Sequence, residues 1–374
     1  MAAASVWGTN LRISIFGESH GPAVGVVIDG LPAGEAVDMD ALRLQMSRRA
    51  PGRDKSSTPR KEADEPEFLS GLLGGRTTGA PLCIVIRNTN TRSGDYANVM
   101  QAPRPGHSDY AAYVKYRGCN DVRGGGHFSG RLTSCLCAAG AVCRQILERR
   151  GIRIGSHVAS VGPARDLPLP SPDIPDELLR RLSETYFPTI GDGVETQMRA
   201  VIEDARMARD SVGGVVEVGV TGLPAGLGGP LFGGVESLFS SILFGIPAVK
   251  GVEFGEGFGA ASLRGSENND PFTVAESGEI RTVSNHAGGI LGGITSGMPL
   301  VFRIAVKPTP SISQPQQSVD LAGRRVTELE VHGRHDPCIV PRAAPVAESA
   351  AAVAALELLL LNNALTMEGN EHDA

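Results

Sequence analysis

Three consecutive glycines, Gly124–Gly126, sit inside VRGGGHFSGRLTS (122–134), and a second glycine-dense run, SNHAGGILGGITSG, occupies 284–297. Both belong to a general excess: 48 of 374 residues are glycine, nearly double an ordinary share of about 7%. No collagen-like period accounts for it. A residue without Cβ permits left-handed backbone and close approach. Such a chain must be rich in tight turns and in places where backbone meets backbone or ligand.

The pattern between the glycines mixes strands and helices. GVVIDGLPAG (25–34) and VGVTGLPAGL (218–227) each read as a strand running into a Gly/Pro turn. The shared GLPAG is either turn chemistry met twice or the mark of two related halves. Val215–Val220 and Leu300–Val306 alternate like strands. Asp38 is placed to cap a helix over Met39–Arg48, stopped by Pro51-Gly52. Gly130–Arg150 has helical spacing and small residues suited to close packing on several sides. Glu195–Arg209 and the Ala/Leu-rich Ala344–Leu361 are further helices. Hairpin signals outnumber regular βαβ spacing, which predicts an α+β fold with antiparallel sheets. No linker composition divides the chain. The expectation is one domain over 1–364 and a disordered tail over 365–374.

Composition narrows the class. Hydrophobic residues make up 41% and charged residues 20%, as in a soluble globular protein. A net charge of −6 argues against general nucleic-acid binding. The six cysteines show neither disulfide-framework density nor paired C-x-x-C zinc spacing. MAAASVWGTN has no basic segment before an apolar core, so no signal peptide is evident. Ser237–Val249 is too short to span a membrane, which takes about 20 residues. The expected setting is the cytoplasm, with no membrane and no nucleic acid as partner.

Chemistry-bearing side chains concentrate in a few segments. FGESHG (16–21) puts a glutamate, Ser19 and His20 in one turn after a strand. Residues 43–61 hold Arg43, Arg48, Arg49, Arg53, Lys55, Arg60 and Lys61 against a single acid, Asp54. That is either a solvated basic loop or a clamp for a polyanion, since guanidinium forks bind carboxylate and phosphate in a bidentate way. RPGHSDY (104–110) carries His107 and Asp109 in a Pro/Gly loop. The three glycines before His127, Ser129 and Arg131 stand at the mouth of a helix, a natural anion cradle. No G-x-G-x-x-G or G-K-[ST] ending points to a common nucleotide fold. KPTPSI (307–312) ends a strand with a lysine and hydroxyls fit for phosphate. GRHDPC (333–338), with His332, spells H-x-x-H-D, a weak metal candidate that lacks a second ligand pair. His157 and His372 are taken as a surface or strand histidine and a tail residue.

In order and spacing these segments, with IPAVKGVEFGEGF (246–258), resemble the chorismate synthase family along nearly the whole chain. The GESHG and GRHDPC segments match that family's signatures closely. The middle one departs: His127, Phe128 and Leu132 stand where the family commonly has Arg, Ser and Glu, while Ser129, Arg131 and Thr133 match.

The resemblance implies a β-α-β sandwich, helices between antiparallel sheets, in a homotetramer. It implies a carbon–oxygen lyase that makes chorismate from 5-enolpyruvylshikimate 3-phosphate by 1,4-anti elimination of phosphate with reduced FMN. It assigns His107 as acid to the leaving phosphate and His20 as the group beside the flavin. Asp336 relays the ring proton, and Ser19 and Ser129 hold the hydrogen-bonded network. FMN would lie against His127, Phe128, Ser129, Pro247, Ala248, Gly292, Lys307, Pro308, Thr309, Pro310, Ser311 and Arg334. Arg49, Arg53, Lys55 and Arg131 would meet the substrate's two carboxylates and phosphate. NADPH is a possible reductant, although no dinucleotide fingerprint is present. Two other readings stay open here: a metal-dependent phosphohydrolase using His107, Asp109, His332, His335 and Asp336, and a non-catalytic FMN-binding relative.

Overall fold

The computed structural model describes residues 4–52, 64–89, 99–331 and 336–365. Among these, two five-stranded antiparallel sheets form the outer layers. The first runs, in spatial order, Val6–Trp7, Arg12–Gly17, Ala23–Asp29, Leu82–Arg87 and Pro66–Ser70. The second runs Val249–Phe254, Leu300–Val306, Gly214–Thr221, Arg153–Val161 and Ala164–Arg165. Helix Thr133–Glu148 packs on the first sheet, helix Val340–Leu365 on the second, and the two helices pack on each other. This is the expected sandwich with helices between antiparallel sheets.

Small residues make that inner contact possible. A Cβ on Gly140 would lie 2.3 Å from Ser349 Cα, so only glycine lets the two helices approach this closely. Ala138 and Ala139 are buried on one helix and Ala350–Ala355 on the other. Helix Val340–Leu365 is long and apolar enough to cross a membrane by composition, but most of it is buried as the core of the sandwich. Its Glu357 carboxylate reaches the edge of the first sheet and accepts the N–H groups of Thr9, Asn10 and Leu11.

Helix Met39–Arg49 starts as expected: Asp38 accepts the N–H groups of Asp40 and Ala41, a cap worth about 1 kcal/mol. It separates two neighbouring arginines. Arg48 turns inward to a fully buried, bidentate pair with Glu348 (2.5 and 3.0 Å), whose carboxylate also accepts from Ser156. Arg49 turns toward the loops described below.

The GLPAG repeat marks two halves built alike. Each copy follows the third strand of its sheet. In the first, Gly34 N–H donates to Thr77 O, Thr77 Oγ1 donates to Pro32 O, and Glu35 N–H donates to Thr77 Oγ1. In the second, Gly226, Thr295, Pro224 and Leu227 make the same three bonds. Each threonine lies in a short hairpin followed by the next strand, GLLGGRTTGAPL (71–82) and GILGGITSGMPL (289–300).

Candidate active site

The GESHG turn joins strands Arg12–Gly17 and Ala23–Asp29 and is held from two sides. Ser19 N–H donates to Gly126 O (3.1 Å), and Asn88 Nδ2 donates to Glu18 O and Gly21 O. Ser19 and His20 are buried. The triple glycine closes over them. A Cβ on Gly124 would lie 2.3 Å from the His20 ring and 2.7 Å from Ser19 Oγ; one on Gly125 would lie 3.3 Å from His107 Nε2 and 3.6 Å from Ser129 Cβ. Gly124, Gly125 and Gly126 all have φ between +54° and +85°, which glycine adopts without strain. Adjacent glycines thus bring His20 and Ser19, and His107 and Ser129, to one stretch of bare backbone.

His107 is fixed within its own segment. Its Nδ1 lies 2.6 Å from Asp109 Oδ1. Asp109 accepts the Arg104 backbone N–H (3.0 Å), Arg104 Nε (2.7 Å) and Arg104 Nη2 (2.8 Å). Burial alone would raise the Asp109 carboxyl, but the bonds from Arg104 and His107 more than offset it and hold it well below the usual carboxylate range. Two bonds lace this loop to KPTPSI: Arg104 Nη1 donates to Ser311 Oγ (3.1 Å), and Lys307 Nζ to Gly106 O (2.6 Å). Lys307 N–H also donates to Ala248 O (3.0 Å), which brings Pro247 and Ala248 to the same place. Partial burial, and then the charge of Lys250, lower the Lys307 pKa. Among the described residues no carboxylate pairs with Lys307.

Arg49 and Arg131 meet across one buried acid. Arg49 Nη1 binds one oxygen of Asp64 (2.6 Å) and Arg131 Nη1 the other. Arg49 also donates to Thr133 Oγ1 and Gly130 O. Arg131 Nε donates to Asn88 Oδ1 (2.9 Å), so the same asparagine joins this pair to the GESHG turn. Burial would raise Asp64, yet the two guanidiniums lower it. Asp336 binds Arg342 Nη1 (2.5 Å), and Arg342 Nε donates to Arg49 O (2.9 Å). Among the described residues two guanidiniums thus share one carboxylate, an arrangement that suits an anionic ligand.

The remaining expected residues are placed as follows. Thr309 Oγ1 is buried with no hydrogen-bond partner among the described residues, beside Pro308 and Pro310 in the KPTPSI loop. His127 turns away from His107: its Nδ1 lies 2.7 Å from Gly17 O and its Nε2 2.7 Å from Ser5 Oγ. It borders an open cleft of about 430 Å³ shared with Ser5, Phe16, Glu18 and Gly21. Phe128 is partly exposed and packs against Tyr116. Gly292 is not brought together with the others within the chain. It lies in the hairpin before Leu300, whereas Lys307 follows Val306, a separation of about 20 Å along the strand. Of the basic stretch, Arg48 is absorbed by Glu348, and Arg43 pairs at the surface with Glu65. Arg53, Lys55 and Arg334 lie outside the described residues, as do His332, His335 and His372. Among the described residues no three His, Cys, Asp or Glu side chains converge as a metal-ligand set.

The sequence reading passed over Asp64, Asn88, Arg104 and Arg342 as site residues. Only Arg104 carried a local signal, its place beside His107 and Asp109 in RPGHSDY.

A helix-filled sandwich whose paired histidines and arginines converge on one glycine-lined edge defines an enzyme acting on an anionic small molecule. The comparisons with known proteins agree with that class and narrow it. A family profile described as chorismate synthase matches residues 11–360. A chorismate synthase from Thermococcus kodakarensis is 47% identical over 96% of this chain and 98% of its own length. One from Aeropyrum pernix is 45% identical over 98% and 96%. A solved chorismate synthase structure superposes with a TM-score of 0.74 at 28% identity, covering 95% of this chain and 93% of that one. The chain belongs to the chorismate synthase family, and with it to the lyases. The phosphohydrolase and non-catalytic readings receive no support from these matches.

Proposed function

We propose that the protein converts 5-enolpyruvylshikimate 3-phosphate to chorismate by 1,4-anti elimination of phosphate, with reduced FMN bound beside the substrate, in the shikimate pathway of aromatic amino-acid biosynthesis. The observation that carries this is the pairing of His20 and His107 on adjacent glycines, linked to the Arg49–Asp64–Arg131 group through Asn88 and to Lys307 through Gly106 O. His107 holds a proton for the departing phosphate oxygen, general acid catalysis of the kind worth about 10²- to 10⁴-fold. Arg49 and Arg131, with Arg53 and Lys55, offset the substrate's carboxylates and phosphate. Asp336, fixed by Arg342, relays the proton shed by the ring. Ser19 and Ser129 keep the polar network around the two histidines.

The residues present fit FMN. Among the described residues Thr309 offers a buried hydroxyl without a partner, and Lys307 is a half-buried cation without a carboxylate. These two, with Ser129, Phe128, Pro247, Ala248, Pro308, Pro310 and Ser311, would hold it; His127 and Arg334 complete the proposed set. When bound, reduced FMN supplies an electron-rich ring against the substrate, and the protein supplies orientation and charge. An outside reductant, rather than NADPH bound by this chain, fits the lack of a dinucleotide fingerprint.

We also propose a cytoplasmic homotetramer. Phe232, Phe258, Phe272 and Ile280 are mostly exposed, an apolar surface suited to a second copy; a monomer in sedimentation would remove this. The central test is an anaerobic assay with dithionite-reduced FMN and the enolpyruvyl substrate. Chorismate should appear, and its absence would overturn the reading. Replacing dithionite by NADPH tests the source of reducing equivalents.

A further inference from the structure

We propose that Asp109 is the positioning residue of His107, holding the imidazole by Nδ1 so that Nε2 faces Gly125 and the substrate side, and balancing the guanidinium of Arg104. The proposal rests on the reading of His107 as proton donor. Asp109 is the first residue of helix Asp109–Tyr116, and its carboxylate is almost wholly buried. One oxygen, Oδ1, lies 2.6 Å from His107 Nδ1. The remaining capacity is taken by the three donors of Arg104. Arg104 is itself anchored to Ser311. The carboxylate is therefore a fixed point, and the ring that binds it has one orientation.

The charges around His107 make the carboxylate necessary for more than aim. Arg104 Nη2 lies 3.2 and 3.3 Å from the two ring nitrogens. Lys307 approaches from the KPTPSI loop through Gly106 O. Ser108 Oγ, at 3.5 Å from Nδ1, is neutral. On the open side stand Gly125, Ser129 and, past Gly124, His20. Among the described residues one guanidinium thus lies against the ring, the Lys307 ammonium sits on the neighbouring Gly106 O, and Asp109 is the only acid bonded to the ring. Without that acid a protonated ring would sit beside uncompensated positive charge, and at close range such repulsion is worth several-fold to many-fold in proton occupancy.

The test compares Asp109→Asn, Asp109→Glu and His107→Ala in the anaerobic assay, with melting temperature and oxidised-FMN affinity measured alongside. Asp109→Asn keeps an oxygen for the Arg104 N–H groups but not the charge. Its kcat should fall at least about tenfold, the low end for orienting groups. The descending alkaline limb of its kcat–pH profile should move down by about one unit or more, with FMN affinity unchanged. The melting temperature should fall as well, because the buried Arg104 loses its carboxylate, so kcat is read on folded protein below both transitions. Asp109→Glu should restore part of kcat and of the limb position. If His107→Ala loses turnover while Asp109→Asn keeps the wild-type kcat and limb, the positioning role is overturned and the proton-donor reading stands. A fall in kcat that tracks a lost melting temperature, with the limb unmoved, overturns it too, because that is the signature of a helix start. If His107→Ala itself keeps turnover, the proton-donor reading fails and takes this proposal with it.

Discussion

His157 and His107 are each bonded to acid, and they are built for opposite ends. His157 lies in strand Arg153–Val161 with Nδ1 2.9 Å from Asp166 and Nε2 2.9 Å from Glu217, its side chain fully buried. Both acids are tied further, Asp166 to the N–H groups of Ile190 and Gly191, and Glu217 to that of Leu169. Burial alone would push the His157 imidazole down, yet bonds to Asp166 and Glu217 raise it. Two carboxylates and no route to solvent lock its proton in place. His107 has one carboxylate, a facing guanidinium and a side left bare by Gly125. On the proposed reading of His107 as proton donor, the difference between a histidine that holds a fold and one that passes a proton is the balance of partner charge and one open side, not the residue or its nearest acid.

The largest effect that separates them falls on turnover. His107→Ala should lose about 10²- to 10⁴-fold in kcat while keeping FMN binding and melting temperature. Activity near wild type in an anaerobic assay would erase the distinction. His157→Gln should do the reverse. It leaves buried Asp166 short of its cation and Glu217 with Arg303 alone, at 3.6 Å, a loss of up to about 3–5 kcal/mol by analogy with broken buried pairs. Denaturant midpoints should shift accordingly, with kcat of the folded fraction intact. An unshifted midpoint would mean that the 157–166–217 group adds nothing to stability.

A third effect is smaller and carries a sign. The folded-state pKa of His157 is raised above an unfolded value of about 6.5. Its contribution is fully present below that value and is lost as pH rises through the folded pKa. The stability gap between wild type and His157→Gln should therefore shrink on the alkaline side. Asp109 runs the other way: its folded pKa is depressed below an unfolded value of about 3.9. Its contribution is present above that value and is lost as pH falls through the folded pKa. Stability curves that lose both contributions on the same side of neutrality would contradict this pairing.

Much of this was legible in the sequence. Alternation and caps are local, so Met39–Arg49, Gly214–Thr221 and Leu300–Val306 lie where their patterns put them. The glycines announced close approach, and Gly140, Gly124 and Gly125 make it. The second part of the duplication, GLLGGRTTGAPL and GILGGITSGMPL, is legible too, with eight of twelve positions identical, but its role shows only when both threonines bond back to their GLPAG turns. Long-range partners were also out of reach. Nothing in the run of basic residues distinguishes Arg48 from Arg49, since the step of about 100° between neighbours on a helix decides which meets Glu348 and which meets Asp64. His157 looked ordinary because Asp166 and Glu217 come from separate segments. Gly292 was grouped with Lys307 by the family pattern, and the strand between them holds them apart within one chain.

The smallest effect concerns a third histidine, His127, which lies between these two cases. Its Nδ1 donates to Gly17 O, and its Nε2 shares a hydrogen with Ser5 Oγ. Both ring nitrogens are already engaged, and among the described residues neither an acid nor a cation is bonded to the ring. A charge on His127 would therefore have to come from the ligand, an anionic flavin or its phosphate reaching the cleft beside Glu18 and Gly21. The protein's own geometry predicts the weaker outcome. His127→Gln should change FMN affinity by no more than one ordinary hydrogen bond, about 0.5–1.5 kcal/mol, and leave its pH dependence unaltered. His127→Arg puts back the side chain common in the family and should flatten the pH dependence only if the ring titrates against the flavin. Titrating FMN into the three proteins between acid and alkaline pH decides. Parallel profiles place His127 with His157 as a structural histidine. A wild-type affinity that falls with rising pH, while that of His127→Arg does not, places it with His107 as one whose charge serves the reaction.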